Sequence, residues 1–250
     1  MEKHGQHRDL VKAALLAAGL ALAGGPALAQ QCRLALSLAL DVSSSVDARE
    51  YDLQREGLAR ALSDPEVAAA FFAVPGTVVA LHVFEWSGRG QQALRLDWAE
   101  IGSEAELFAT AERLQDLPRS SAAFPTALGF AMDYGARALA RRRDCAQHTL
   151  DVSGDGVNND GFAPDAARRS FPFEGITVNG LVIGSTHVTL RTYFERFVIQ
   201  GPGAFVETAE DYADFGQTMR RKLLRELSVI VVGEADPAFR SGPPGELARP

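Results

Sequence analysis

Short apolar runs alternate with segments of helical periodicity along most of the chain. Apolar runs bounded by turn residues are typical of buried strands in a parallel sheet, whereas apolar residues spaced three and four apart indicate helices. The predicted strands are 34–40, 77–85, 92–96, 148–152, 176–183 and 204–206. The predicted helices are 47–62, 66–72, 104–114, 126–143, 163–171, 190–197 and 211–227. Strand 92–96 follows its neighbour across a glycine-rich turn, so it should pair antiparallel at one edge.

This order of elements predicts the fold class. Alternating strands and helices are typical of an α/β protein. The expected architecture is a doubly wound, mostly parallel sheet with one antiparallel edge strand, which is a Rossmann-like arrangement. A chain of 250 residues that is 46% hydrophobic can bury one large core. No internal repeat interrupts the pattern, so we expect a single domain over residues 30–233.

Both ends of the chain should lie outside that domain. Residues 1–29 combine basic residues, a short apolar stretch and the triplet Ala27-Leu28-Ala29, which is typical of a signal peptide cleaved after Ala29. The stretch is short for a membrane-spanning helix, although a retained anchor is the alternative. We therefore expect a periplasmic or secreted protein with no stable transmembrane segment after cleavage. Residues 234–250 are rich in proline and glycine and should form a disordered tail.

The chain has two cysteines, Cys32 and Cys145. Each one opens a predicted strand, and if these strands are parallel neighbours both thiols lie at the same edge of the sheet. Export would permit their oxidation. We predict a Cys32–Cys145 disulfide at the edge opposite the strand ends that lead to Asp41 and Asp155. Two free thiols are the alternative.

Oxygen-bearing side chains follow the first predicted strand where it gives way to a helix. Asp41, Ser43 and Ser45 supply a carboxylate and two hydroxyls on one tight turn. Thr126 and Asp155 stand at two further junctions, and in an open α/β sheet such junctions meet at the ligand-binding edge. Hard oxygen donors suit Mg²⁺, with Mn²⁺ or Ca²⁺ as alternatives. Capping of the next helix by the serines is the alternative to metal binding.

These motifs resemble the metal-ion-dependent adhesion site of von Willebrand factor type A domains. The match consists of Asp41-Val42-Ser43-Ser44-Ser45, Thr126 before Ala127-Leu128, and Asp155-Gly156. Further segments are similar to an uncharacterised bacterial secreted family related to those domains: 84–88, 151–159, 176–180, 201–206 and 221–227. The resemblance implies a von Willebrand A fold and its metal site. Asp151, which lies within a predicted strand, is interpreted as a buried or paired structural residue.

One segment departs from the resemblance. Adhesion-type domains usually carry glycines just before the threonine, whereas residues 122–125 are Ala-Ala-Phe-Pro here. Phe124 could narrow access to the ion or contact a ligand. The candidates for partner binding are Trp86, Phe124, Asn158 and Asn159. Burial in the core is the alternative for Trp86 and Phe124.

The predicted function is metal-dependent binding of a protein or peptide, and not an enzyme activity. Neutral hydroxyls would leave the ion electrophilic, so we expect the partner to supply an acidic side chain. The alternatives are a magnesium-dependent phosphohydrolase of the haloacid-dehalogenase type and a structural domain without metal. That phosphohydrolase type needs an Asp where Ser43 stands and a lysine between its acidic motifs, and this chain has neither. The net charge of −7 gives no electrostatic basis for binding nucleic acid.

Overall fold

The computed structural model describes residues 30–120, 123–171, 173–184 and 188–228. Within these residues six strands form one sheet: β1 (Gln31–Asp41), β2 (Thr77–Trp86), β3 (Gln92–Ile101), β4 (Gln147–Gly154), β5 (Ile176–Ile183) and β6 (Val206–Ala209). The helices are α1 (Ala48–Leu62), α2 (Pro65–Phe71), α3 (Glu104–Gln115), α4 (Leu128–Leu139), α5 (Pro164–Ser170), α6 (Val188–Tyr193) and α7 (Phe215–Ser228). A π-helical turn, Phe194–Val198, follows α6 directly. Each predicted element has a counterpart, although several ends are shifted.

The strands lie in the order β3-β2-β1-β4-β5-β6. β1 pairs in parallel with β2 and β4, and the parallel pairing continues through β5 to β6. Among the strands described, β3 alone runs antiparallel, against β2 at the sheet edge. This arrangement confirms the predicted α/β class with one antiparallel edge strand. β3 is longer than predicted and extends to Ile101.

β1 occupies the middle of the sheet because its side chains are apolar on both faces. Leu36 and the other leucines of β1 belong to one core, together with Phe215 of α7. Ala35 and Ala39 belong to the other core, together with Met132 of α4. Helices therefore cover both faces of the sheet, and the carboxyl ends of the parallel strands are left as the place for a ligand.

Helices α1 and α7 cross at two glycines. A Cβ on Gly57 would lie 3.0 Å from the Cα of Gly216, and a Cβ on Gly216 would lie 3.0 Å from the Cα of Gly57. Glycine within a helix is normally unfavourable by about 0.5–1 kcal/mol relative to alanine. Here it allows the two backbones to approach more closely than any side chain would permit.

A buried ionic cluster ties α7 to the sheet. Nζ of Lys222 lies 2.9 Å from Oδ2 of Asp151 and 2.6 Å from Oε1 of Glu226. Asn179 of β5 donates a hydrogen bond of 2.8 Å to the same Glu226 oxygen. All four side chains are buried. Asp151 is therefore both buried and paired, in line with its interpretation as a structural residue.

A disulfide joins Cys32 to Cys145. Cys32 lies at the beginning of β1, and Cys145 lies just before β4, its parallel neighbour. The bridge is therefore at the edge of the sheet opposite the ends that lead to Asp41 and Asp155, where the sequence places it.

Some predictions concern residues that the structure does not describe. The signal peptide at 1–29, the tail at 234–250 and the last residues of the predicted domain, 229–233, lie outside the described residues. Within the described part of the chain, every helix is too short or too polar to cross a membrane.

Candidate metal centre

Three loops meet at the carboxyl edge of the sheet. Asp41 is the last residue of β1, and Ser43 and Ser45 follow it on the way to α1. Asp155 follows β4, the strand next to β1, and Thr126 stands two residues before α4. Because β1 and β4 are parallel, their ends bring the two carboxylates to the same edge.

Hydrogen bonds join these five residues into one group, which we call the cation cluster. The Ser45 hydroxyl donates to Oδ1 of Asp155 at 2.8 Å, and the Oγ atoms of Ser43 and Ser45 are 3.2 Å apart. The Thr126 hydroxyl lies 3.4 Å from Oγ of Ser43. Oδ1 of Asp41 accepts a hydrogen bond of 2.8 Å from the Ser43 backbone N–H. The structure thus brings all five residues together, while their role as metal ligands stays a prediction.

Asp41 is a buried carboxylate with one unsatisfied oxygen. Its side chain is completely buried, and Oδ2 has no hydrogen-bond partner among the described residues. Burial raises the pKa of Asp41 to about 7, with a further contribution from repulsion by Asp155. A Cβ on Gly154 would lie 3.1 Å from this Oδ2, so glycine at that position leaves room beside the carboxylate. Such an oxygen is costly unless a proton or a cation satisfies it.

The donor set of the cation cluster fits a hard divalent cation. Its side-chain donors are carboxylate and hydroxyl oxygens, which Mg²⁺, Mn²⁺ and Ca²⁺ prefer over nitrogen or sulfur. Two carboxylates balance the charge of such an ion, and the three hydroxyls are neutral. The unsatisfied Oδ2 of Asp41 is the feature that a cation would complete.

The serines of the first loop do not cap the following helix. Asp47 is the N-cap of α1, where its side chain accepts from the N–H of Glu50 while the Glu50 side chain accepts from the Asp47 N–H. This reciprocal pair already satisfies the helix end. The capping alternative for Ser43 and Ser45 is therefore wrong, and their hydroxyls belong to the cation cluster.

Two residues outside the predicted set hold the first loop in place. Gln54 donates from Nε2 to the backbone carbonyl of Asp41 at 3.0 Å. Arg119 donates to the carbonyls of Val42 and Ser43 at 2.9 and 3.1 Å. Gln54 is a polar residue on the buried face of α1, and that placement was a usable signal in the sequence. Arg119 lies in an irregular segment and gave no such signal.

The segment that carries Arg119 is itself anchored by a buried carboxylate. Glu85, near the end of β2, accepts hydrogen bonds from the Tyr51 hydroxyl at 2.8 Å and from the Ser120 backbone N–H at 2.9 Å. Nε of Arg95 lies 3.4 Å from the same carboxylate. Glu85 therefore holds the segment of Arg119 beside the first loop.

Asn158 and Asn159 build the loop beside the cation cluster. The Asn159 side chain accepts from the Thr126 N–H at 2.8 Å, and its own N–H donates to the Thr126 carbonyl at 2.9 Å. The Asn158 side chain accepts from the Gly129 N–H at 3.1 Å. Both residues hold Thr126 and the start of α4 in position. The Phe124 side chain remains exposed, and its Cβ would lie 3.0 Å from a Cβ built on Gly88.

The structure corrects the interpretation of Trp86 as a partner contact. Its side chain is completely buried at the end of β2. The ring would lie 3.4 Å from a Cβ built on Gly154, which places it beneath the cation cluster. Trp86 therefore packs in the core, as the alternative stated, because the strand turns this side chain inward.

Comparison with known proteins gives one family match. The family described as "Protein of unknown function (DUF1194)" matches residues 31–231. No curated protein matches the chain.

Several solved structures share the fold of this chain. Proximal thread matrix protein 1 from the mussel byssus, with a zinc-occupied MIDAS (metal-ion-dependent adhesion site) motif, has a TM-score of 0.57 and 15% identity, covering 80% of this chain and 47% of that one. The von Willebrand factor type A protein from Catenulispora acidiphila has a TM-score of 0.53 and 16% identity, covering 79% and 43%. Manganese-loaded TRAP protein from Plasmodium vivax has a TM-score of 0.50 and 14% identity, covering 78% and 73%.

These comparisons confirm the predicted fold. The chain has the α/β fold of von Willebrand factor type A domains, and identities this low carry the fold alone. The chain spans about half the length of the mussel protein that it matches.

Proposed function

The chain belongs to the family described as "Protein of unknown function (DUF1194)", and from its cation cluster we propose that it binds a protein or peptide partner through a divalent cation. The convergence of three loops on Asp41, whose buried Oδ2 lacks a partner among the described residues, carries this proposal. An ion bound there would act as a Lewis acid that attracts an anionic oxygen. The partner would supply that oxygen from an Asp or Glu side chain.

Each residue of the cation cluster has a defined part in this proposal. Asp41 would compensate the charge of the ion from its buried position, and Asp155 would do so from the more open side. Ser43, Ser45 and Thr126 would bind the ion, directly or through water, without adding negative charge. Arg119 and Gln54 would keep the first loop in place through its carbonyl groups.

The identity of the ion is part of the proposal. The donor chemistry favours Mg²⁺, or alternatively Mn²⁺ or Ca²⁺. A zinc-occupied site is named for the mussel protein and manganese loading for the Plasmodium protein, which supports a divalent ion without choosing one for this chain.

We also propose that the protein is exported and that its role is binding and not catalysis. The signal-peptide pattern at 1–29 supports export, and the Cys32–Cys145 bridge suits an oxidising compartment. Ser43 stands where a phosphohydrolase of the haloacid-dehalogenase type would carry its second Asp, which favours binding over phosphoryl transfer.

Melting temperature with and without metal tests the proposal. We expect MgCl₂ or MnCl₂ at ~100 times its Kd to raise the Tm by roughly 5–10 °C relative to EDTA, because the ion binds only the folded state. Asp155→Ala should abolish this rise by removing one of the two carboxylates. Asp97→Ala, which removes an exposed carboxylate from β3, should retain it.

The opposite result would support the structural domain without metal. That alternative predicts the same Tm in metal and in EDTA for the unsubstituted protein. A rise of equal size in Asp155→Ala would show that the ion binds elsewhere.

A further inference from the structure

A cavity lies between the helices α1 and α3 and the strands β1, β2 and β3. Its volume is about 310 Å³ including its mouth, which is at the lower end for sites that bind small molecules. Apolar side chains form half of its lining: Leu40, Leu58, Val83, Leu114 and Leu117. A molecule bound in this cavity would therefore need an apolar body.

Three polar atoms of residues that line the cavity lack hydrogen-bond partners among the described residues. They are Oε1 of Gln54, Nε of Arg55 and Nε of Arg95, and all three atoms are buried. Gln54 as a whole is 1% exposed. Buried polar atoms of this kind are costly unless a bound molecule satisfies them. One of the three accepts and two donate, and a single hydroxyl group can do both in return.

The charges around the cavity favour a neutral ligand. Arg95 already pairs with Glu85, since its Nε lies 3.4 Å from the Glu85 carboxylate. The same carboxylate accepts a hydrogen bond of 2.8 Å from the Tyr51 hydroxyl. Arg55 pairs with Asp52 at 3.2 Å. Because each of these charges has a counterion, a charged ligand would lose its hydration without meeting an unpaired opposite charge.

Two residues of the cavity lining also support the first loop of the cation cluster. Gln54 donates from Nε2 to the backbone carbonyl of Asp41 at 3.0 Å, while its Oε1 is left without a partner among the described residues. Glu85 accepts from the N–H of Ser120 at 2.9 Å, and the neighbouring Arg119 donates to two carbonyls of the first loop. A molecule that fixes the Gln54 amide and packs beside Glu85 would restrict the first loop. The loop would then lose less conformational freedom when an ion binds.

We propose that the cavity binds a small neutral molecule with one hydroxyl group on an apolar ring or short chain, and that the bound molecule strengthens cation binding. The hydroxyl would donate to Oε1 of Gln54 and accept from Nε of Arg55 or Arg95, while the apolar part would contact the leucines. The strengthening rests on the proposed function, since it requires an ion in the cation cluster. The binding of the molecule itself does not.

Calorimetric titration of the purified protein with phenol tests the binding site. Phenol joins a hydroxyl group to an apolar ring, and toluene has nearly the same shape without the hydroxyl. In EDTA we expect phenol to bind at least about tenfold more tightly than toluene, because toluene leaves the buried polar atoms unsatisfied. Equal binding of the two molecules, or no binding of phenol, would overturn the proposed ligand class.

Two leucine variants show whether phenol binds in this cavity. Leu117→Phe enlarges a half-buried side chain of the lining and should abolish phenol binding by filling the space. Leu53→Phe makes the same change at a half-buried leucine of α1 outside the lining, and it should bind phenol like the unsubstituted protein. Unchanged phenol binding in Leu117→Phe would overturn the cavity as the site.

Titration with MgCl₂ in the presence and absence of saturating phenol tests the effect on the cation cluster. We expect phenol to lower the Kd for Mg²⁺ by about fivefold, and Mg²⁺ to lower the Kd for phenol by the same factor, because coupling between two sites is reciprocal. In Leu117→Phe, phenol should leave the Kd for Mg²⁺ unchanged.

The outcomes separate this inference from the proposed function. A Kd for Mg²⁺ that phenol does not change in the unsubstituted protein would overturn the coupling and leave metal-dependent binding intact. If Mg²⁺ binds in neither titration, the coupling and the proposed function are both wrong. The comparison of phenol with toluene in EDTA still decides whether the cavity binds a hydroxyl-bearing molecule.

Discussion

His82 is a completely buried histidine in β2. Its Nδ1 lies 2.9 Å from Oγ of Ser37, and its ring stacks on Trp98 with 4.9 Å between ring centroids. Burial lowers the pKa of His82 to about 4 from its usual value near 6.5. The folded state therefore binds fewer protons than the unfolded state between these values, so the stabilisation present above pH 6.5 is lost as pH falls toward 4.

We expect His82→Gln to remove this pH dependence. A pKa lowered from about 6.5 to about 4 corresponds to about 3 kcal/mol in the free energy of unfolding. Burial raises the pKa of Asp41 to about 7 and also raises the pKa of Asp151, so both groups change stability in the opposite direction over this range. We therefore compare the free energy of unfolding of the unsubstituted protein with that of His82→Gln, measured by urea unfolding at several pH values. The difference in the free energy of unfolding should become smaller from pH 7 to pH 4. A difference that does not change with pH would contradict the lowered pKa of His82.

The residues of the cation cluster could be predicted because each follows a strand end or precedes a helix. Parallel strands bring such ends to one edge whatever the details of packing. Trp86 could not be assigned, because a residue at a strand end can face the core or the solvent. Its side chain packs into the core on the same face of the sheet as Ala39 and Leu128. Arg119 could not be found either, since its position depends on the distant Glu85.

The close crossing of α1 and α7 predicts the effect of a substitution at Gly57. Gly57→Ala should lower the free energy of unfolding by about 1–2 kcal/mol. Overpacking against the backbone of Gly216 costs roughly 1–3 kcal/mol, and the gain in helix propensity offsets only about 0.5–1 kcal/mol of it. Urea unfolding would measure the change. Arg49→Ala, at an exposed position of the same helix, should have little effect, and a Gly57→Ala protein of unchanged stability would contradict the close crossing.

The buried ionic cluster beneath α7 predicts the effect of a substitution at Lys222. Burial alone would lower the pKa of Lys222, but Asp151 and Glu226 raise it, so the lysine is charged. Lys222→Met would leave two buried carboxylates without a countercharge, and we expect a loss of about 3–5 kcal/mol in the free energy of unfolding.

A neutral version of the ionic cluster is the control. The triple variant Asp151→Asn/Lys222→Met/Glu226→Gln removes every charge together and should recover most of the lost stability. If Lys222→Met is as stable as the unsubstituted protein in chemical denaturation, the cluster does not hold α7 as described.

The presence of each strand and helix could be predicted more accurately than its ends, and β3 extends to Ile101 beyond its predicted end at residue 96. An apolar run is a strong local signal, whereas the end of a helix depends on partners that are distant in sequence. The helix predicted over 126–143 is shorter at both ends than expected. At its start, Thr126 bonds to Asn159 instead of continuing the helix. At its end, Arg142 pairs with Glu100 of β3. Neither contact can be inferred from the periodicity of apolar residues.

The disulfide closes a large loop of the chain. Cys32 and Cys145 are separated by 113 residues, and a bridge across such a loop stabilises the folded state by roughly 4–5 kcal/mol through the entropy of the unfolded chain. We expect the double variant Cys32→Ser/Cys145→Ser to lose most of this stabilisation, measured as the free energy of unfolding in urea. Reductant should destabilise the unsubstituted protein and leave the double variant unchanged.

The same double variant should keep its response to metal. The bridge lies at the edge of the sheet opposite the cation cluster, so its loss should lower the Tm in EDTA and in MgCl₂ by similar amounts. A double variant that no longer responds to MgCl₂ would show that the two edges are coupled.

The position of Asp41 has a mechanical consequence. Asp41 ends β1, and β1 is hydrogen-bonded to β2 on one side and to β4 on the other. A force applied to the cation cluster along β1 would act parallel to both hydrogen-bonded ladders. The hydrogen bonds of each ladder would then resist the force together and would not break one after another. The covalent link from Cys32 to Cys145 would pass part of the tension from the far end of β1 into β4. A force applied at the cation cluster would therefore be shared by the hydrogen bonds of both ladders.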